Sequence, residues 1–178
     1  FRELLRKELE RSEPQMVAVL NRRAMAWCIA NGLTEAAVSY GQAANEIDAV
    51  ADLLEGIVLP LYFDGRLDTA NEWFGWVGED DLVQHPVLAV YGAWMRVLTG
   101  KPDEAERLLV LAGRSAATGP LPDGSATIEP WIATLRAHMM KNGVGRALAD
   151  AELALDQLPS NAERSDDHRH LVFGANLH

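Results

Sequence analysis

The stretch Gly32-Leu33-Thr34-Glu35-Ala36-Ala37 returns as Gly65-Arg66-Leu67-Asp68-Thr69-Ala70 and again as Gly100-Lys101-Pro102-Asp103-Glu104-Ala105. A fourth copy, Asn142-Gly143-Val144-Gly145-Arg146-Ala147, keeps the alanine but has Asn142 where the others have glycine. In each copy the alanine stands five residues beyond the turn position, and the copies follow one another at 33, 35 and 42 residues. Glycine adopts the left-handed conformation that ends a helix and reverses the chain. Alanine early in the next helix lets the two axes approach closely. A hairpin built this way keeps one unburied face, which a following hairpin covers.

The flanking sequence supports helices on both sides of each turn. Apolar residues recur at three- and four-residue spacing, and strand-like alternation is scarce. Ala (26) and Leu (24) outnumber Val plus Ile (18), a balance that favours helix over strand. Ser12-Glu13-Pro14-Gln15 reads as a helix start, with Ser12 as cap, Pro14 in the first turn and Gln15 closing a capping box. The helix so opened runs to about residue 31, and others are expected near 34–45, 46–63 (disturbed by Pro60), 66–77, 86–99, 103–117, 128–141 and 146–158. Gly119-Pro120-Leu121-Pro122-Asp123-Gly124-Ser125 is a loop and accounts for the long third interval. Ser160 to Asp167 is a polar connector, and His168 to His178 reads as a further helix. A period near 34 with glycine in the turn and a small residue after it is the tetratricopeptide pattern. The expected fold is all-α, a tetratricopeptide-like solenoid (α-α superhelix) of about four hairpins. An ordinary all-helical domain with chance glycine spacing is the competing reading.

Charge and chemistry narrow the function. The net charge of −10 is concentrated: residues 24–86 hold eleven acidic residues and one basic one, Arg66. Such a surface repels phosphate backbones and is read first as a solvated face. One cysteine excludes a disulfide framework and a cysteine-cluster metal site. Apolar runs fall short of the roughly 20 residues of a membrane span. The five histidines form no metal-binding pair on one helix face, and no phosphate-binding loop or nucleophile elbow occurs. Gly143-Val144-Gly145 is half a dinucleotide fingerprint in a helix–helix turn, and Glu79-Asp80-Asp81 suits a helix start. Cys28 reads as a buried thiol. No catalytic residues, metal ligands or cofactor-binding residues are assigned.

What remains is surface. In a solenoid the first helix of each hairpin lines the inner wall. In the tetratricopeptide register that wall holds Arg22, Glu55, Tyr62, Trp94 and Arg136, the candidate ligand- or partner-binding residues. Most of the five tryptophans and three tyrosines are expected to be hairpin core.

Three further stretches carry a resemblance: Phe1-Arg2-Glu3-Leu4-Leu5-Arg6, Arg22-Arg23-Ala24-Met25-Ala26-Trp27, and Ala30 through Ala37. They resemble the large ATP-dependent LuxR-type transcriptional regulators of the MalT-like group. Tyr40-Gly41-Gln42-Ala43-Ala44-Asn45-Glu46 is similar to that family's His-Ala-Leu-Ala-Ala-Gly-Asp, with Asn45-Glu46 in place of Gly-Asp. The resemblance is strong over residues 1–55 and looser through Pro86-Val87-Leu88-Ala89 and Gly100 to Leu109. It implies that residues 1–11 are the last helix of a preceding winged-helix-like module and that 12–178 belong to a helical-repeat region cut short at its end. The start at Phe1 fits a fragment. On this basis the chain is expected to be a cytoplasmic signal-sensing and oligomerisation region that binds a small-molecule effector or partner protein and can self-associate. It would contact neither membrane nor nucleic acid, with ATP and DNA binding elsewhere in the parent protein. The alternative is a tetratricopeptide adaptor for proteins or peptides, unrelated to transcription. An enzyme is not expected.

Overall fold

A computed structural model describes residues 8, 11–115, 121 and 125–157. Among the described residues the chain is all-helical, and its elements pack in sequence-adjacent pairs. Helices α1 (Pro14–Ala30) and α2 (Thr34–Ala44) form the first hairpin, and α3 (Ile47–Phe63) and α4 (Leu67–Trp76) the second. A single turn, α5 (Glu79–Leu82), precedes the third hairpin of α6 (Pro86–Leu98) and α7 (Pro102–Ala112). The fourth is α8 (Glu129–Met139) with α9 (Val144–Gln157). The chain divides into two compact units, Phe1–Gly78 and Glu79–His178, each holding two of these hairpins.

The expected turns are present, and three share one geometry. Gly32, Gly65 and Gly100 have φ of 70°, 75° and 74°. The residue after each donates its N–H to a carbonyl five residues back: Leu33 to Cys28 (2.9 Å), Arg66 to Leu61 (2.8 Å) and Lys101 to Arg96 (2.8 Å). This is the Schellman closure, which satisfies carbonyls left open at a helix end. The fourth turn corrects the sequence alignment. Its left-handed residues are Met140 (φ 46°) and Gly143 (φ 84°), while Asn142 keeps a negative φ. Helix α8 therefore ends one step early, and Gly143 takes the position held elsewhere by Leu33, Arg66 and Lys101. The alanine register survives: Ala37, Ala70, Ala105 and Ala147 each donate N–H to the residue four before, Leu33, Arg66, Lys101 and Gly143.

The alanines do what their size suggests. Ala37, Ala70 and Ala105 are wholly buried, whereas Ala147 is half-buried. Between hairpins one and two the chain reverses at Asn45 (φ 56°), and Glu46 donates to the carbonyl of Gly41 at 3.0 Å. Asparagine is among the few side chains that tolerate this conformation, so it serves where the resembled family has glycine. Gly41 is fixed by crowding: a Cβ there would lie 2.6 Å from Val50 Cγ2 and 2.9 Å from Met25 Sδ. Helix α2 thus passes between α1 and α3 at a distance only a bare backbone permits.

Three local expectations need correction. Ser12 does not cap α1; its hydroxyl donates to the Glu8 carbonyl at 2.7 Å, and Glu13 precedes the helix without a side-chain cap bond. Helix α3 runs through Pro60 to Phe63; the carbonyl that proline leaves without its helical donor belongs to Gly56, which is exposed to water. Helix α7 stops at Ala112 instead of reaching 117, because the chain turns at Gly113-Arg114. Most of the 119–125 loop, the 160–167 connector, the 168–178 helix and the assignment of residues 1–11 to a preceding module lie outside the described residues.

In the second unit α6 is the central element. Its run from Pro86 through Ala93 is buried, with Met95, as expected of a helix covered on all sides. It packs against α5, α7 and α8. Helix α7 meets it with Ala105, Leu108, Leu109 and Ala112, a stripe at helical spacing. Trp131 of α8 is 2% exposed and stacks on Tyr91 of α6 with ring centroids 5.9 Å apart. In the first unit Val38, Val50, Ala51, Leu54 and Val58 are wholly buried between α2 and α3. Among the described residues no helix is long and apolar enough to cross a membrane.

Paired substitutions test this packing. Gly41→Ala should destabilise the fold, because overpacking costs about 1–3 kcal/mol and outweighs the helix-propensity gain. Gly56→Ala, with open space around it, should be neutral or stabilising by up to about 1 kcal/mol. Likewise Ala105→Leu should cost about 1–3 kcal/mol while Ala147→Leu is tolerated. Urea unfolding of the four variants checks both comparisons.

Candidate functional site

The five residues expected on an inner wall all stand on first helices of hairpins, as that register requires. Arg22 (α1), Glu55 and Tyr62 (α3) belong to the first unit; Trp94 (α6) and Arg136 (α8) belong to the second. Arg22 is exposed and paired with Glu46, just before α3. Tyr62 is half-buried and meets Phe63 edge-on, centroids 5.5 Å apart. Glu55 and Trp94 are half-buried. Arg136 holds Glu106 of α7 through a guanidinium fork, at 3.0 Å from Nε and 2.7 Å from Nη2.

That last contact is one of a series. Arg66, at the second turn, donates to both oxygens of Glu35 in the first turn of α2, at 2.5 and 2.8 Å. Lys141, at the fourth turn, donates to Asp103 in the first turn of α7, at 2.5 Å. Glu35 and Asp103 occupy equivalent positions, two residues after Leu33 and Lys101. Within each unit, then, a cation at the turn of one hairpin grips an acid at the start of the preceding hairpin's second helix. The acids also sit where the helix dipole favours negative charge. The Arg66 guanidinium holds the Glu35 carboxyl below its ordinary value, and the Lys141 ammonium does the same for Asp103. Part of the acidic 24–86 segment is therefore engaged: Glu35, Glu46 and Glu79 pair with Arg66, Arg22 and Arg107.

Two open grooves flank α7 in the second unit. One, of about 350 Å³, is lined by Glu79, Asp103, Glu106, Arg107, Arg114 and Lys141 around Val110 and Leu111. Its acids are all neutralised by the pairs Arg107–Glu79, Arg136–Glu106 and Lys141–Asp103. The other, of about 380 Å³, lies where α7, α8 and α9 meet. Its apolar lining is Leu109, Val110, Ile132, Ala133 and Leu153; its charged lining is Arg114, Glu129, Arg136, Arg146 and Asp150. Of the five expected residues Arg136 borders this groove, and the other four border neither.

Sequence reasoning did not single out Arg114, Arg146, Asp150 or Leu153. One signal was present. Seven residues beyond Leu33, Arg66 and Lys101 stand Tyr40, Trp73 and Leu108, but seven beyond Gly143 stands Asp150. The fourth hairpin thus puts a carboxylate where the others put a large apolar side chain. Asp150 is 5% exposed and is neutralised by Arg146 one turn earlier, at 3.0 Å. Among the described residues no three His, Cys, Asp or Glu side chains are grouped so as to hold a metal ion.

Against this geometry the comparisons with known proteins are narrow. Over 97 residues, 54% of the chain, it is 29% identical to the HTH-type transcriptional regulator AlkS of Pseudomonas putida. The chain is similar to a transcription regulator. The matched stretch spans 11% of that protein's length. No family model matches the chain, and no solved structure does.

The pairs between hairpins imply an acid limb. A carboxyl whose folded pKa is depressed adds stability above its unfolded pKa and loses it as pH falls through the folded value. Thermal midpoints measured from about pH 7 down to about pH 2 should fall less steeply for the double variant Glu35→Gln, Asp103→Asn than for the unaltered chain. Both pairs are exposed, so the difference at neutral pH should be small.

Proposed function

We propose that this chain is the signal-sensing, oligomerisation-controlling repeat region of an ATP-dependent LuxR-type transcriptional regulator of the MalT-like group. The single observation that carries the reading is the similarity over 97 residues to a transcription regulator. The chain's own chemistry agrees with a binding role. Four of its ion pairs link one hairpin to the next, and its grooves have apolar floors with charged rims, the usual composition of a ligand site. In this reading the region performs no catalysis; ATP and DNA are bound elsewhere in a cytoplasmic parent protein. An effector or partner on the hairpin surface favours one of two arrangements of the parent, and the favoured arrangement assembles at promoters. A near-complete switch needs a differential affinity of about 5.5 kcal/mol.

One feature favours a second reading, a tetratricopeptide-type adaptor. On α9, Val144 (76% exposed), Leu148 (60%) and Leu155 (60%) form one stripe facing outward. Glu152 and Asp156, both exposed, lie along one edge of it. Such a face takes an amphipathic helix with a basic edge.

A reporter experiment separates the two. The parent gene drives a promoter fusion, with residues 12–157 either intact or deleted. The regulator reading predicts that the deletion abolishes the response to inducing conditions while purified parent protein still binds its DNA. An unchanged response contradicts it and leaves the adaptor.

A further inference from the structure

We infer that the groove between α7, α8 and α9 is a binding site for a small amphiphilic monoanion, with an apolar body on the groove floor and a carboxylate on Arg114. This rests on the effector-binding reading above and names the chemistry of the ligand.

The floor is made by Leu109, Ile132 and Ala133, all nearly or fully buried, and Leu153 forms one wall. Side chains of this kind recognise only an apolar body, and about 380 Å³ suits a small molecule. The rim supplies the charge preference. Of its three arginines, Arg136 and Arg146 are tied to Glu106 and Asp150, which leaves Arg114 as the cation outside these pairs, with Glu129 the remaining acid of the lining.

The arginines are not equivalent. Glu106 fixes Arg136, and Asp150 fixes Arg146. Arg114 has no ion pair among the described residues, and it follows the end of α7 and lines the groove. It is the guanidinium available to donate a two-pronged hydrogen bond to a carboxylate. Asp150 gives the independent support. A hairpin has no packing use for a buried carboxylate at the position of Trp73 and Leu108, and burying one is costly unless it is paired. Its effect here is to hold Arg146 beside the groove, as Glu106 holds Arg136. The two pinned arginines are held in place beside the groove, and Arg114 makes the contact.

The probe is hexanoate, with hexan-1-ol and hexylammonium as neutral and cationic controls, titrated into the full 178-residue chain and followed by amide chemical shifts. Hexanoate should move the signals of Gly113, Ile132 and Leu153, and should bind about tenfold more tightly than hexan-1-ol, the lower range for a charge-assisted contact. Hexylammonium should bind no better than the alcohol. Arg114→Gln, at an exposed position, should leave the amide spectrum of the free chain otherwise intact and bring hexanoate down to the level of the alcohol. Leu153→Asp should weaken both. The inference is overturned by no shift at these residues up to roughly 10 mM probe, a concentration that detects millimolar affinity, by equal binding of all three probes, or by hexanoate binding that Arg114→Gln leaves unchanged. None of these results touches the reporter experiment, so the ligand class can fail while the regulator reading stands, and the reverse.

Discussion

The left-handed residue at the end of each first helix is the constraint on which the rest of the structure depends. It lets the N–H of Leu33, Arg66 and Lys101 turn back onto a carbonyl five residues earlier, so the helix closes with its polar groups satisfied. The chain is then committed to reverse, and the second helix begins at once. Buried Ala37, Ala70 and Ala105 follow at a fixed distance because only a small side chain fits where the two axes are still close. Without the turn these alanines have no partner to approach, and a larger side chain in their place would push the two helices apart.

Cohesion between hairpins comes from a different source. Within each unit a cation at one turn reaches an acid at the start of the previous hairpin's second helix, Arg66 to Glu35 and Lys141 to Asp103. Exposed pairs of this kind contribute little energy each. Burial does the larger work, through Val38 against Val50 and Leu54 in one unit and through the enclosed helix α6 in the other. The fourth hairpin departs from this scheme at three points: its turn uses Met140 with Gly143, its core position holds Asp150, and its outer face is apolar at Val144, Leu148 and Leu155. Departures from a repeat concentrate where a repeat has something other than stacking to do.

The helices and their order were legible in the amino-acid sequence because a turn needs glycine and a close crossing needs alanine, and both are local requirements. The role of Asn142 was misread for the same reason. Its position aligned with glycine, but the reversal had moved to Met140 and Gly143, a shift that only the backbone of α8 decides. Ser12 looked like a cap, yet the Glu8 carbonyl one turn back was the nearer partner. The two grooves were not legible at all, since their walls come from helices some thirty residues apart. Arg136 was singled out by its register, but the acid that orients it, Glu106, and the neighbours Arg114 and Asp150 become visible only once α7, α8 and α9 are packed. Asp150 alone left a trace, as an acid at a position where the other three repeats have an apolar residue.

Three turns share one hydrogen-bonded closure, and the fourth does not. Native-state amide hydrogen exchange, read residue by residue, tests it most directly. The account predicts that the N–H groups of Leu33, Arg66 and Lys101, although each lies at the surface end of a hairpin, exchange slowly and close to the rate of their neighbouring helices. The N–H of Gly143, which takes the same place in the fourth turn but reaches the Met140 carbonyl only three residues back at 3.1 Å, should exchange faster. Rapid exchange at Leu33, Arg66 and Lys101, or protection at Gly143 equal to theirs, would contradict this difference between the closures and with it the repeat on which the fold is built.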